Sequence, residues 1–153
     1  MAHRRSGGAR DRICERTARR ITLGELSEDM GSAEAPAAAY RRHLQNGKLG
    51  YQRCGACSAA VFYPRVLCPV CGGGELEWRE SAGSGTVYAT TAVYSRNRDP
   101  RSVVLVDLDE GFRMMSRVEG VSAEDVEVGT RVRFEVRQEG EDGPVAVFVL
   151  EGS

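Results

Sequence analysis

Residues 54–71 read Cys54-Gly-Ala-Cys57-Ser-Ala-Ala-Val-Phe-Tyr-Pro-Arg-Val-Leu-Cys68-Pro-Val-Cys71. Two Cys-x2-Cys pairs stand ten residues apart, and together they hold four of the five cysteines in the chain. Each pair can grip one metal ion from a tight turn, and four thiolates complete a tetrahedron with no open position. Such a site is structural rather than catalytic. Zinc is favoured over iron, and the metal would supply folding energy to a segment with too little apolar mass for a core of its own. Gly72 lets the second turn curl so that backbone amides face the sulfurs, and Pro69 stiffens it. Ser58 holds the equivalent place in the first turn and suits it less. Free thiols, disulfides or a redox Cys-x2-Cys pair are the alternatives. Disulfides are disfavoured where no secretory signal is seen, and a redox motif lacks its surrounding βαβ pattern.

On the N-terminal side, residues 34–48 read as one short helix. Pro36 suits a first helical position, the alanines and Leu44 favour helix, and Gly47 is a C-terminal stop. His43 on this helix is expected to be a surface side chain rather than a ligand. Residues 49–80 form the metal ribbon, with short strands expected at 51–53 and 61–63.

On the C-terminal side, residues 81–153 change character. Val87, Ala89, Thr91 and Val93 alternate with Tyr88, Thr90 and Tyr94. The runs 103–108, 112–118, 132–136 and 145–150 follow. The turn signals between them are Asn97 with Pro100, Asp109-Glu110-Gly111, Gly129, and Asp142-Gly143-Pro144. Five short strands, with residues 122–128 as a helix or loop between the third and fourth, predict a small closed barrel of the OB type; an SH3-like barrel or a small sandwich competes. The fold class is thus mainly β: a helix, a metal ribbon, then a five-stranded barrel.

Residues 1–33 differ from all of this. Seven arginines stand against Asp11 and Glu15 in the first twenty residues, with no apolar period, which predicts a disordered basic tail. A dispensable tail or a start at Met30 are the plain readings; a nucleic-acid or membrane-binding arm and a transit peptide are the functional ones. Cys14 is expected to be an incidental thiol. From residue 21 onward fourteen basic side chains face twenty acidic ones, which argues against nucleic acid as the main partner. No apolar run approaches the ~18 residues that span a bilayer, and no apolar leader core is visible, so the expected location is the cytoplasm. Lys48 is the sole lysine, as a GC-rich, bacterial genome would produce.

Residues able to do chemistry alone are scarce. The two histidines, His3 and His43, sit near no nucleophile motif, and there is no Walker loop, G-x-S-x-G or G-x-G-x-x-G. Asp107 and Asp109 are expected at a strand end, facing solvent. Residues 95–101 carry Arg96, Arg98 and Arg101, expected in a loop after the first barrel strand, where OB folds border their ligand face. Guanidinium groups there suit a coenzyme A phosphate, an acidic partner surface or nucleic acid.

Taken in order, LQNGKLGYQRC (44–54), FYPRVLCPVCG (62–72), ESAGSGTVYATTAVY (80–94), VDLDEGFRMMSRVEG (106–120) and VEVGTRVRFEV (126–136) resemble the acyl-CoA-associated OB-fold family with an N-terminal rubredoxin-like zinc ribbon. That family was formerly catalogued as a domain of unknown function. The resemblance covers residues 37–150. It implies a helix or helical hairpin, a zinc ribbon and an OB barrel, with Cys54, Cys57, Cys68 and Cys71 as zinc ligands. It also implies a non-catalytic accessory subunit bound to a thiolase-like enzyme, or to a hydratase of the hot-dog fold, with the acyl-CoA shared between the two. Arg96, Arg98 and Arg101 become candidates for CoA or partner contact. This chain shows one helix before the ribbon where longer members have two. A single-stranded nucleic-acid-binding module, with Tyr88 and Tyr94 as stacking faces, is the competing class. An iron-based, rubredoxin-like electron carrier is a third.

Overall fold

A computed structural model describes residues 34–140 and 143–152. The basic tail, His3, Cys14, Glu141 and Asp142 lie outside the described residues. The element order is α1 (Pro36–Gln45), β1 (Gly50–Cys54), β2 (Ala60–Val61), β3 (Leu76–Glu80), β4 (Ser84–Ser95), β5 (Arg98–Leu108), β6 (Arg113–Ser116), β7 (Val118–Glu119), β8 (Arg131–Glu139) and β9 (Gly143–Leu150). Among the described residues no helix is long and apolar enough to cross a membrane.

The helix begins at Pro36, whose missing N–H needs no partner at that position. It ends in a Schellman turn. Gly47 takes φ +72°, its N–H donates to the Leu44 carbonyl at 2.9 Å, and the Lys48 N–H reaches back to the His43 carbonyl at 2.9 Å. Ala39 and Leu44 are its buried residues. His43 stacks on Trp78 of β3, with ring centroids 5.0 Å apart. Gly50 is what lets the ring lie there, since a Cβ at that position would sit 2.7 Å from His43 Cγ and Cδ2.

The ribbon sheet runs β2–β1–β3, all antiparallel. The third strand was not expected. Leu76–Glu80 alternates weakly, and its partly exposed pattern hides the pairing Cys54↔Leu76 to Gly50↔Glu80. The expected strand at 61–63 is shorter than the sequence suggests, ending at Val61. Phe62 leaves the sheet to pack on Phe112 with centroids 5.2 Å apart, while Tyr51 of β1 stacks on the same ring at 4.9 Å.

The barrel sheet runs β6–β5–β4–β8–β9–β7. The expected strand at 112–118 is real but broken at Arg117. Its first half, β6, pairs antiparallel with β5, and its second half, β7, pairs parallel with β9. One strand that changes partners thus closes the barrel. The seam is held by polar groups: Ser102 Oγ donates to the Val118 carbonyl (3.1 Å) and accepts from the Val118 N–H (3.0 Å). Ser116 Oγ donates to the Ala146 carbonyl at 2.8 Å. Residues 122–128 form a turn-rich loop without helix, and Ala123 and Val126 in it are buried. Val87, Val104, Val106, Val132, Val147 and Phe148 are among the most deeply buried side chains. This is the OB layout, five strands with the third in two pieces.

Gly50→Ala should cost about 1–3 kcal/mol by overpacking against His43. It should also change the emission of Trp78, the sole tryptophan, because the imidazole leaves its face. Chemical denaturation followed by Trp fluorescence checks both, and an unchanged midpoint and spectrum would contradict the packing described.

Candidate metal centre

The four cysteines come from two turns of the same construction. In the first, the Ser58 N–H donates to the Cys54 carbonyl (2.9 Å) and the Cys54 N–H to the Ala59 carbonyl (3.0 Å). In the second, the Gly72 N–H donates to the Cys68 carbonyl (2.9 Å) and the Cys68 N–H to the Gly73 carbonyl (2.8 Å). Both turns need a left-handed residue after the second cysteine, and both have one: Gly72 at φ +75° and Ser58 at φ +58°. Ser58 is the one non-glycine residue with positive φ among the described residues.

All four Sγ atoms lie within 4.8 Å of one another. Cys54 Sγ stands 3.6 Å from Cys71 Sγ, and Cys57 Sγ 3.7 Å from Cys68 Sγ. Thiolates at ~2.3 Å from a tetrahedral ion would stand about 3.8 Å apart, so the sulfurs already have the spacing of a metal-bound set. None is close enough to another for a disulfide. The backbone N–H groups of Cys71 and then Val70 draw the Cys68 thiol down to about 7, despite its burial. One member of the set is therefore readily supplied as thiolate. Cys54 and Cys68 are buried and Cys57 and Cys71 exposed, so the centre sits at the ribbon's edge with its inner half sealed. The donor set fits a soft, tetrahedral, structural ion.

The gap between the turns is pinned by a residue that sequence reading passed over. Gln52 is buried, donating through Nε2 to the Arg65 carbonyl (3.1 Å) and accepting the Arg65 N–H at Oε1 (2.7 Å). A glutamine inside a predicted strand carries no signal of this. Trp78, which positions His43, was equally silent.

Of the three arginines singled out earlier, only Arg96 lies in the loop. Ser95 pairs with Arg98, so the β4–β5 connection is the two residues Arg96 and Asn97. Arg98 and Arg101 lie on β5, and so does Pro100, which was read as a turn residue. Proline was misleading here because an edge position of a hairpin tolerates it. All three arginines are exposed, and none has an ion-pair partner among the described residues.

Elsewhere on the barrel, arginines are matched. Arg113 pairs with Asp107, Arg131 with Asp109 and Glu151, Arg117 with Glu119 and Glu139, and Arg137 with Glu119 and Glu135. Hydrogen bonds from Arg113 and Arg131 hold the Asp107 and Asp109 carboxyls below the usual range. These aspartates lie at the surface, as expected, and each is held in an ion pair that the sequence did not show. The two tyrosines considered for base stacking are also engaged: the Arg113 guanidinium lies 3.3 Å over the Tyr88 ring, and the Tyr94 hydroxyl donates to Glu124.

The chain matches two family descriptions in tandem: the ChsH2 rubredoxin-like zinc ribbon domain over residues 41–77 and the ChsH2 C-terminal OB-fold domain over 78–137. A DUF35 domain-containing scaffold protein from Methanothermobacter thermautotrophicus is 30% identical over 115 residues, covering 69% of this chain and 86% of that protein. A probable enoyl-CoA hydratase alpha subunit from Thermomonospora curvata is 33% identical over 89 residues, covering 56% of this chain and 28% of the relative. Among solved structures, a chain of the Ltp2–ChsH2(DUF35) aldolase superposes with a TM-score of 0.67 at 26% identity, covering 78% of this chain and 97% of that one. The chain belongs to the DUF35 family, with a ChsH2-type zinc ribbon and OB fold.

Cys68→Ser should remove a ligand from the sealed side, lowering bound metal well below one ion per chain and unfolding the ribbon first. Ser58→Gly should act oppositely, relieving left-handed strain and adding up to about 1 kcal/mol. Metal analysis and thermal melting of both variants check the pair; parent-like metal content in Cys68→Ser would remove it from the ligand set.

Proposed function

We propose that this chain is a non-catalytic accessory subunit. It binds a thiolase-like acyl-CoA enzyme and supports that enzyme's acyl-CoA binding or activity, in lipid, steroid or aromatic acyl-CoA metabolism. The observation that carries the reading is the match over 97% of a chain of the Ltp2–ChsH2(DUF35) aldolase. The similarity extends over nearly the whole of that chain, whereas it takes in 28% of the hydratase alpha subunit. Relatives named scaffold proteins support the same role.

In this reading Cys54, Cys57, Cys68 and Cys71 hold one Zn2+, whose contribution when bound is to cross-link the two turns. Arg96, Arg98 and Arg101, free of ion pairs among the described residues, contact the partner or a CoA phosphate. A hydratase of the hot-dog fold is the second reading for the partner, favoured by the 33% identity to a probable enoyl-CoA hydratase alpha subunit. Single-stranded nucleic acid is the weaker alternative: most of the barrel's arginines already face carboxylates, which leaves few counterions to release.

The test is affinity capture from native cell extract, with mass spectrometry of what survives a high-salt wash. Stoichiometric recovery of a thiolase-like protein is the expected result, and a hydratase-like protein would select the second reading. Nucleic acid without any acyl-CoA enzyme would overturn both. The purified chain alone should show no thiolytic or hydratase turnover, and should contain zinc without visible colour. A red, redox-active centre would identify iron instead.

A further inference from the structure

Two surface depressions share Met115 and Ala146 in their linings. The first, about 410 Å3, lies between α1 and the strands β6 and β9. Tyr40, Leu44, Met114 and Val145 line it, and Arg41 stands on its rim. The second, about 200 Å3, is also lined by Met115 and Ala146, and it contains Arg101 and Arg117. Taken together as one trough they have an apolar part beside the helix, with Arg41 in one half and Arg101 in the other, while Arg117 is already paired with Glu119 and Glu139. No Asp or Glu lines either half among the described residues, on a chain with 22 carboxylates. Arg41 and Arg101 have no ion-pair partner among the described residues, in contrast to Arg113, Arg131 and Arg137. Met115 is 58% exposed and Tyr63, beside it in the lining, 53%.

We propose that the trough seats a short segment of the partner enzyme in which aliphatic side chains are flanked by carboxylates. The inference rests on the accessory-subunit reading and names the face that does the binding. The apolar part supplies the burial that gives affinity, with methionines that adapt to the side chains they meet. Arg41 in one half and Arg101 in the other set direction and select the sign of the incoming charge. A segment with basic flanks would be repelled twice. A free acyl anion has one charged head and satisfies only one of the two arginines, which favours a peptide with a carboxylate at each end.

Two experiments test it. In the first, the full chain carrying 13C-methyl methionine is titrated with the synthetic peptides ELLALE and KLLALK and with octanoate. The Met114 and Met115 methyl resonances should move with ELLALE, which should bind about fivefold or more tighter than KLLALK. That preference should vanish in the Arg41→Glu, Arg101→Glu double variant. Equal binding of the two peptides, or no shift with either, overturns the proposal; a response to octanoate alone overturns it in favour of an acyl anion. No partner enzyme is involved, so a negative result here leaves the accessory-subunit reading standing, and failure to capture an enzyme leaves this result standing.

In the second, Met115→Glu in the full chain should reduce recovery of the captured enzyme about tenfold. Val128→Glu, equally exposed but outside the trough, should not. Retained Trp78 emission shows that both variants are folded, and parent-like recovery by a folded Met115→Glu overturns the proposal.

Discussion

The stacking of Tyr51 and Phe62 on the ring of Phe112 is the contact on which the rest depends. Tyr51 belongs to the ribbon and Phe112 to the turn before β6, and both are buried in the cluster that contains Val87, Val106 and Phe148. Leu49, at the entry to β1, is in the same cluster. The ribbon therefore has no separate hydrophobic interior beyond the small group of Cys54, Val61 and Cys68. Its inner side is finished by the barrel and its outer side by four sulfurs. A segment of this size cannot bury enough apolar surface alone, and here it borrows from both directions.

Much of this was legible in the sequence, and the reasons are specific. The cysteine spacing is a geometric statement that survives any tertiary context. Gly47 and Gly72 mark left-handed positions that few other residues tolerate, and the alternation in β4 has the period of a strand with one buried face. What failed to show was of another kind. β3 is half exposed on both faces, so it has no alternation to read. The break at Arg117 comes from the barrel's need to change partners, which no local property of 112–118 expresses. Pro100 looked like a turn because prolines usually are, but at the edge of a long hairpin its missing N–H costs nothing. Gln52 and Trp78 act through partners 13 and 35 positions away in the chain, Arg65 and His43, and long-range pairing of this sort leaves no trace at either site.

The charge pattern separates two surfaces that a simple count merges. On β6, β7, β8 and the turns around them, arginines meet carboxylates, with Glu119 meeting both Arg117 and Arg137. Among the described residues Arg41 of the helix and Arg96, Arg98 and Arg101 of the hairpin have no ion-pair partner, and the ribbon exposes Tyr63, Val66, Leu67 and Val70. Apolar side chains and uncompensated guanidinium groups suit the docking face proposed above, whereas an internally neutralised sheet suits a face that stays wet.

The pairing of β3 with β1 has a consequence for how such proteins can be taken apart. The two family segments meet between residues 77 and 78, inside β3, where Glu77 faces Arg53 and Trp78 faces Gln52. A cut at that junction would strip β1 of half its antiparallel neighbour and separate His43 from the indole it leans on. The seam visible in sequence families is therefore not a seam in the folded object. Gene fusions, truncations and chimaeras that treat ribbon and barrel as interchangeable cassettes would sever one continuous sheet. A joint that respects the architecture falls after Glu80, in the short stretch that carries the chain from one sheet into the next.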